Sequence, residues 1–171
     1  SAAKKSATLT VIACQDPSAP ESPLDLTVAA ALLKGDKFDQ VVKKCTEIGV
    51  SRIVPLITDR CDVRPKDGEK KRDRWQKIVI DASRQCGRAT AMAVSEPLDF
   101  KRYLAEAREK ATRIIFSERG GKPFESVASN KCIAALIGPE GGWSDQELSF
   151  AAEQQVTIIT LRGRILRAET A

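Results

Sequence analysis

Apolar positions in this chain follow two alternating rhythms: short runs of strand length, and residues returning every three or four places as on one face of a helix. Ser6 to Cys14 (SATLTVIAC) reads as a strand, and Gln15 to Pro23, with three prolines, as a linker. Leu26 to Leu33 fits a buried strand. Phe38, Val41, Val42, Cys45 and Ile48 then recur at helical spacing, with Gly49 placed to end the helix. Ile53 to Ile57 is a second buried strand, which completes the order a βαβ unit requires.

The alternation continues. Trp75, Ile78, Val79, Ala82 and Cys86 form a helical stripe closed by Gly87, and Ala91 to Val94 is a short strand. Phe100, Tyr103, Leu104 and Ala107 mark another helix. Arg113 to Phe116, Cys132 to Ile137 and Val156 to Leu161 read as strands, with a helix from Asp145 between the last two. Repeated βα alternation predicts an α/β fold, a mostly parallel sheet covered by helices. The stripes are most simply core, and there are no repeats or low-complexity tracts.

Three late strands end in polar or glycine-rich loops: Ser117 to Gly121, Gly138 to Gly142, and Arg162-Gly163-Arg164. On adjacent parallel strands these loops would share one edge, where open α/β sheets bind ligands. The middle loop, Ile137-Gly138-Pro139-Glu140-Gly141-Gly142-Trp143-Ser144, has three glycines and a proline in five residues, leaving backbone groups free to touch a ligand. Ser144 reads as an N-cap with Glu147 completing a capping box, and Trp143 and Leu148 stand where a hydrophobic staple forms. Taken alone, such a stretch is as readily a tight turn as a binding loop. Neither G-x-G-x-x-G after a strand nor G-x-x-x-x-G-K-[ST] occurs.

Composition narrows the chemistry. The 171 residues, 42% hydrophobic and 30% charged, suffice for one domain with a real core. No apolar run approaches membrane-span length and the N-terminus lacks the apolar core of a signal peptide, so a cytoplasmic protein without a membrane partner is expected. The chain has no histidine, which excludes Ser-His-Asp and Cys-His catalysis and histidine-ligated metal; no metal is expected. Five scattered cysteines, none in a Cys-x-x-Cys pair, read as reduced thiols. A net charge of +5 is compatible with a polyanionic partner. Much of the excess lies between Arg60 and Arg88, including Arg64, Lys66, Lys70, Lys71, Arg72, Arg74, Lys77 and Arg84. That run reads either as a solvated helix face or as a phosphate-contacting surface. Leu161 to Ala171 alternates cations with apolar residues: an edge strand with exposed arginines, or a cluster for phosphate or a developing base anion.

The segments IGPEGGWSDQEL and LRGRILRAETA, with LLKGDKFDQVVKKCTEIGVSRIVPLITDRC and RWQKIVIDASRQCGR upstream, resemble the SPOUT-class ribosomal RNA small subunit methyltransferase E family. The resemblance runs from about Leu26 to Ala171, four motifs in order. It implies methylation of a uridine N3 in 16S rRNA, a trefoil-knotted α/β domain, a homodimer, and S-adenosylmethionine in the knot. The cofactor would be held by Phe116, Ser117 and Glu118, by Ile137, Gly138, Pro139, Glu140, Gly141 and Gly142, and by Leu161, Gly163, Ile165 and Leu166. The partner would be ribosomal RNA or the small ribosomal subunit. Residues 24–171 would be the methyltransferase domain, stopping before the family's final helix, and residues 1–23 an N-terminal segment and linker, a remnant of an RNA-binding β-barrel domain. The family has glycine directly after the leucine at position 161, where this chain has Arg162 before Gly163.

Methyl transfer to a ring nitrogen is an in-line displacement, so alignment is the protein's main task. The proton on uracil N3 must be lost or its anion stabilised; without histidine, either a carboxylate takes the proton or an arginine stabilises the charge on the flanking oxygens. Arg167 and Arg164 are the expected substrate residues, and Glu169 holds an arginine or acts as base. Glu140 either joins the cofactor loop's function or only satisfies the turn. Rival readings are a non-catalytic RNA-binding module of the same fold, a related SPOUT enzyme acting on tRNA, and a generic phosphate-binding α/β protein.

Overall fold

A computed structural model describes residues 10–14, 20–64, 67–106, 111–127, 130–161, 163 and 166–171. In chain order the elements are β1 (Asp25–Ala31), α1 (Lys37–Glu47), β2 (Arg52–Ile57), α2 (Gly68–Cys86), β3 (Ala93–Val94), β4 (Leu98–Asp99), α3 (Phe100–Glu106), β5 (Thr112–Phe116), a 3-10 turn (Phe124–Ser126), β6 (Cys132–Ile137), α4 (Asp145–Glu153) and β7 (Thr157–Ile159). The strands form one seven-stranded sheet in the order β3-β2-β1-β6-β5-β7, with β4 also on β2. Every pairing is parallel.

Helices cover both faces, and the pleat of β1 shows how. Val28 and Ala30 join the cluster with Phe38 and Val42 of α1 and Trp75 and Val79 of α2. Ala29, between them in sequence, joins the other cluster, with Phe100 and Tyr103 of α3 and Ala151 of α4. Alternate side chains of a strand point to opposite faces, so a strand buried on both sides must be apolar at every position. That is why the central strands read as unbroken apolar runs.

Local signals hold at the helix ends. The Asp67 side chain caps α2 by accepting from the Lys70 N–H, and Gly87 (φ +79°) closes it in the left-handed conformation. Arg88 then reaches back to the end of α1, donating 3.0 Å hydrogen bonds to the carbonyls of Thr46 and Val50 while pairing with Glu21.

Two expectations need correction, and one short strand was missed. Thr10 to Cys14 is not a strand; Val11 and Ile12 are 87% and 96% exposed, because alternation makes a strand only where a neighbouring strand completes its hydrogen bonds. The remainder of that expected strand, Ser6 to Leu9, lies outside the described residues. β4 was not foreseen, since two residues carry no period. The last strand is three residues rather than Val156 to Leu161. The described residues contain no helix long and apolar enough to cross a membrane.

Candidate functional site

Parallel register places the ends of three strands side by side. Phe116 is level with Ile137 on one neighbour and with Ile159 on the other. The loops leaving β5, β6 and β7 therefore emerge at one edge of the sheet. Between them and the C-terminal turn lies a cavity of about 690 Å³, lined by all three loops and by Lys37 at the start of α1. A volume of this order suits a small-molecule ligand.

Trp143 organises the cavity wall. Its side chain is 1% exposed, and its indole Nε1 donates to the Phe116 carbonyl at 2.8 Å, tying the end of β5 to the loop after β6. The indole lies against Gly138, where a Cβ would come within 3.1 Å of the ring. Gly142 turns the chain with φ +67°, its N–H donating to the Pro139 carbonyl. Arg60, from the loop after β2, donates to the Gly141 carbonyl at 2.9 Å. The loop is thus gripped from both sides.

Its far end is fixed by Glu147, a carboxylate 1% exposed. The capping box is complete: the Ser144 hydroxyl accepts from the Glu147 N–H and Glu147 Oε2 accepts from the Ser144 N–H. Glu147 Oε1 accepts from the Asp59 N–H at 2.9 Å, and the Ser144 hydroxyl donates to Asp59 Oδ2. One buried carboxylate thereby holds the loop after β2 against the loop after β6. Trp143 and Leu148, the expected staple pair, share one hydrophobic cluster.

Charge at the rim comes from distant parts of the chain. Lys37 Nζ lies 3.0 Å from Glu140 Oε1 and 3.7 Å from Glu169 Oε2. Burial works to raise the Glu140 carboxyl, but its own backbone N–H, the Lys37 ammonium and the charge of Lys34 outweigh it and hold it below the usual carboxylate range. Arg119 pairs with Asp145 at 2.7 Å and, more loosely, with Glu118, whose carboxylate stands over Gly142. Arg167 lines the cavity, and its carbonyl accepts from the N–H groups of Thr170 and Ala171 to close a turn.

All the expected loop residues that the structure describes line this one cavity: Phe116, Ser117, Glu118, Ile137, Gly138, Pro139, Glu140, Gly141, Gly142, Leu161, Gly163 and Leu166. Arg167 and Glu169 line it too. Arg164, Ile165 and Arg162 lie outside the described residues. Glu169 faces Lys37 and pairs with no arginine among the described residues. Sequence reasoning missed Lys37, which sits 103 residues from Glu140 and carries no local signal. It also missed the wall role of Trp143, read only as a staple. Within the basic stretch, Lys70, Arg72, Arg74 and Arg88 form ion pairs, while Lys71, Lys77 and Arg84 form none among the described residues; Lys66 lies outside them.

Residues 20–171 match the family described as RNA methyltransferase domain. The ribosomal RNA small subunit methyltransferase E of Synechocystis is 34% identical over 157 residues, covering 88% of this chain and 51% of the relative. Among solved structures, the ribosomal RNA small subunit methyltransferase E of Neisseria gonorrhoeae, bound to S-adenosylmethionine, superposes with a TM-score of 0.85 at 36% identity, covering 91% of this chain and 65% of that one. A Legionella pneumophila protein in complex with S-adenosylmethionine gives 0.82 at 35%, covering 88% and 63%. The chain thus spans about half to two thirds of the length of these relatives. With its parallel sheet, its three strand-end loops and a match across nearly all its described elements, this chain belongs to the RNA methyltransferase domain family.

Proposed function

We propose that this chain is the S-adenosylmethionine-dependent methyltransferase domain of an enzyme that methylates N3 of a uridine in small-subunit ribosomal RNA. The observation that carries this reading is the cavity built from the ends of β5, β6 and β7, in a chain whose relatives of the same fold bind S-adenosylmethionine. Residues 24–171 belong to that domain, which has a trefoil-knotted fold and works as a homodimer; sedimentation velocity tests the dimer.

The residues present fit the cofactor. Gly138 bares the backbone beside the Trp143 wall, and the cavity has the volume of a small-ligand site. Its described lining carries three carboxylates, Glu118, Glu140 and Glu169, against Lys37 and Arg167. The carboxylates suit the positive sulfonium centre of the methyl donor.

Bound there, S-adenosylmethionine supplies an electrophilic methyl group. The loop residues Phe116 to Glu118, Ile137 to Gly142, and Leu161, Gly163, Ile165 and Leu166 hold and orient it, so that most of the gain comes from alignment. In this reading Arg167, with Arg164, stabilises charge on the uracil oxygens as N3 loses its proton, and Glu169 is the carboxylate that accepts it.

Titration calorimetry with S-adenosylmethionine tests the cofactor site, and no heat would leave the RNA-binding module as the reading. Methyl transfer to small-subunit particles, compared with tRNA, tests the substrate. Transfer to tRNA alone would overturn the ribosomal assignment.

A further inference from the structure

We propose that Lys37 is the positioning residue that latches the C-terminal turn onto the rest of the cavity, an inference that rests on the cofactor-site reading above. The turn from Leu166 to Ala171 makes backbone hydrogen bonds only within itself among the described residues, from Thr170 and Ala171 to the Arg167 carbonyl. Among the described residues, two contacts dock it. Ala168 packs against the cluster that holds Phe38 and Val42, and Glu169 reaches Lys37. The Glu169 side chain is 14% exposed, and its Oε2 accepts no hydrogen bond among the described residues. The Lys37 ammonium, 3.7 Å away, is the counter-charge within ion-pair distance of that nearly buried oxygen.

The same ammonium holds Glu140 at 3.0 Å, so one cation spans the glycine-rich loop and the turn that carries Arg167. Without it, two carboxylates would face each other across the rim, and like charges repel where water is scarce. Lys37 is the first residue of α1, anchored by Phe38 beside it, 2% exposed and 4.8 Å from the Trp75 ring. Lys37 is therefore held at a fixed point by the helix and its core contacts.

Hydrogen exchange on the full-length, cofactor-free protein tests the latch without relying on methyl transfer. Lys37→Met should speed exchange at the Thr170 and Ala171 amides about fivefold, the upper range for a partly exposed pair, and leave β6 and α4 protected. Lys37→Arg should restore protection. In calorimetry, Lys37→Met should weaken S-adenosylmethionine binding by a similar factor and Lys37→Arg should recover it. Unchanged exchange in Lys37→Met, or faster exchange spread over the whole sheet, would overturn the latch. A wild-type protein that binds no S-adenosylmethionine would instead overturn the cofactor reading, while the exchange result would still decide the role of Lys37.

Discussion

The indole Nε1 of Trp143 donates a 2.8 Å hydrogen bond to the backbone carbonyl of Phe116. This bond joins two loops that leave neighbouring strands, and both line the cavity. Trp143→Phe keeps most of the ring and leaves the Phe116 carbonyl without its donor. The expected loss is about 1–3 kcal/mol, read as a lower urea midpoint at unchanged slope. Trp143→Ala should cost about 3–5 kcal/mol, because it also opens a hole under Gly138.

Gly121 lies against the end of β7. A Cβ there would stand 2.5 Å from the Ile159 carbonyl carbon and the Thr160 nitrogen, which are backbone atoms that cannot swing aside. The neighbouring Gly120 has open space but φ +70°. Gly121→Ala should cost about 3 kcal/mol and Gly120→Ala about 1 kcal/mol. Thermal denaturation of the two variants checks the order.

Glu147 and Ser144 act as a unit. Glu147→Ala strands the N–H groups of Asp59 and Ser144, an expected loss of about 2–4 kcal/mol, whereas Ser144→Ala removes one cap, about 1 kcal/mol. The double variant should lose less than the sum, since both contact the same groups. A double-mutant cycle in urea measures the difference.

The depressed Glu140 carboxyl has a defined acid signature. Its folded pKa lies below the ordinary 4.5, so the folded state binds fewer protons than the unfolded chain in that range. The stabilisation is present above 4.5 and is lost as pH falls through the folded value. The Tm difference between wild type and Glu140→Gln should stay constant from about pH 6 to 8 and shrink below about 4.5.

Cysteine reactivity should separate by burial. Burial pushes the Cys45 thiol up to about 11, whereas Cys86 is exposed. At pH 8, iodoacetamide should label Cys86 readily and Cys45 only after denaturant is added, as mass spectrometry will show.

Much of this site was legible in the sequence because it is built from local chemistry at strand ends. Ser144 and Glu147 are three residues apart, and the capping box they form needs no other part of the chain. The apolar runs of β1, β2 and β6 announce burial on both faces. The failed strand at Thr10 to Cys14 shows the limit of that logic. Its apolar run resembles those of true strands, but pairing is a property of two segments.

By itself the sequence determined the main helices and the long central strands, where α4 begins, and that three loops rich in glycine or charge end late strands. These follow from side-chain period, capping and backbone freedom, all set within a few residues. Tertiary structure alone decided that those loops share one cavity, that Glu147 also holds Asp59, and that Lys37 stands between Glu140 and Glu169. Such contacts join residues many tens of positions apart, and only the strand order and register of the sheet bring them within bonding distance.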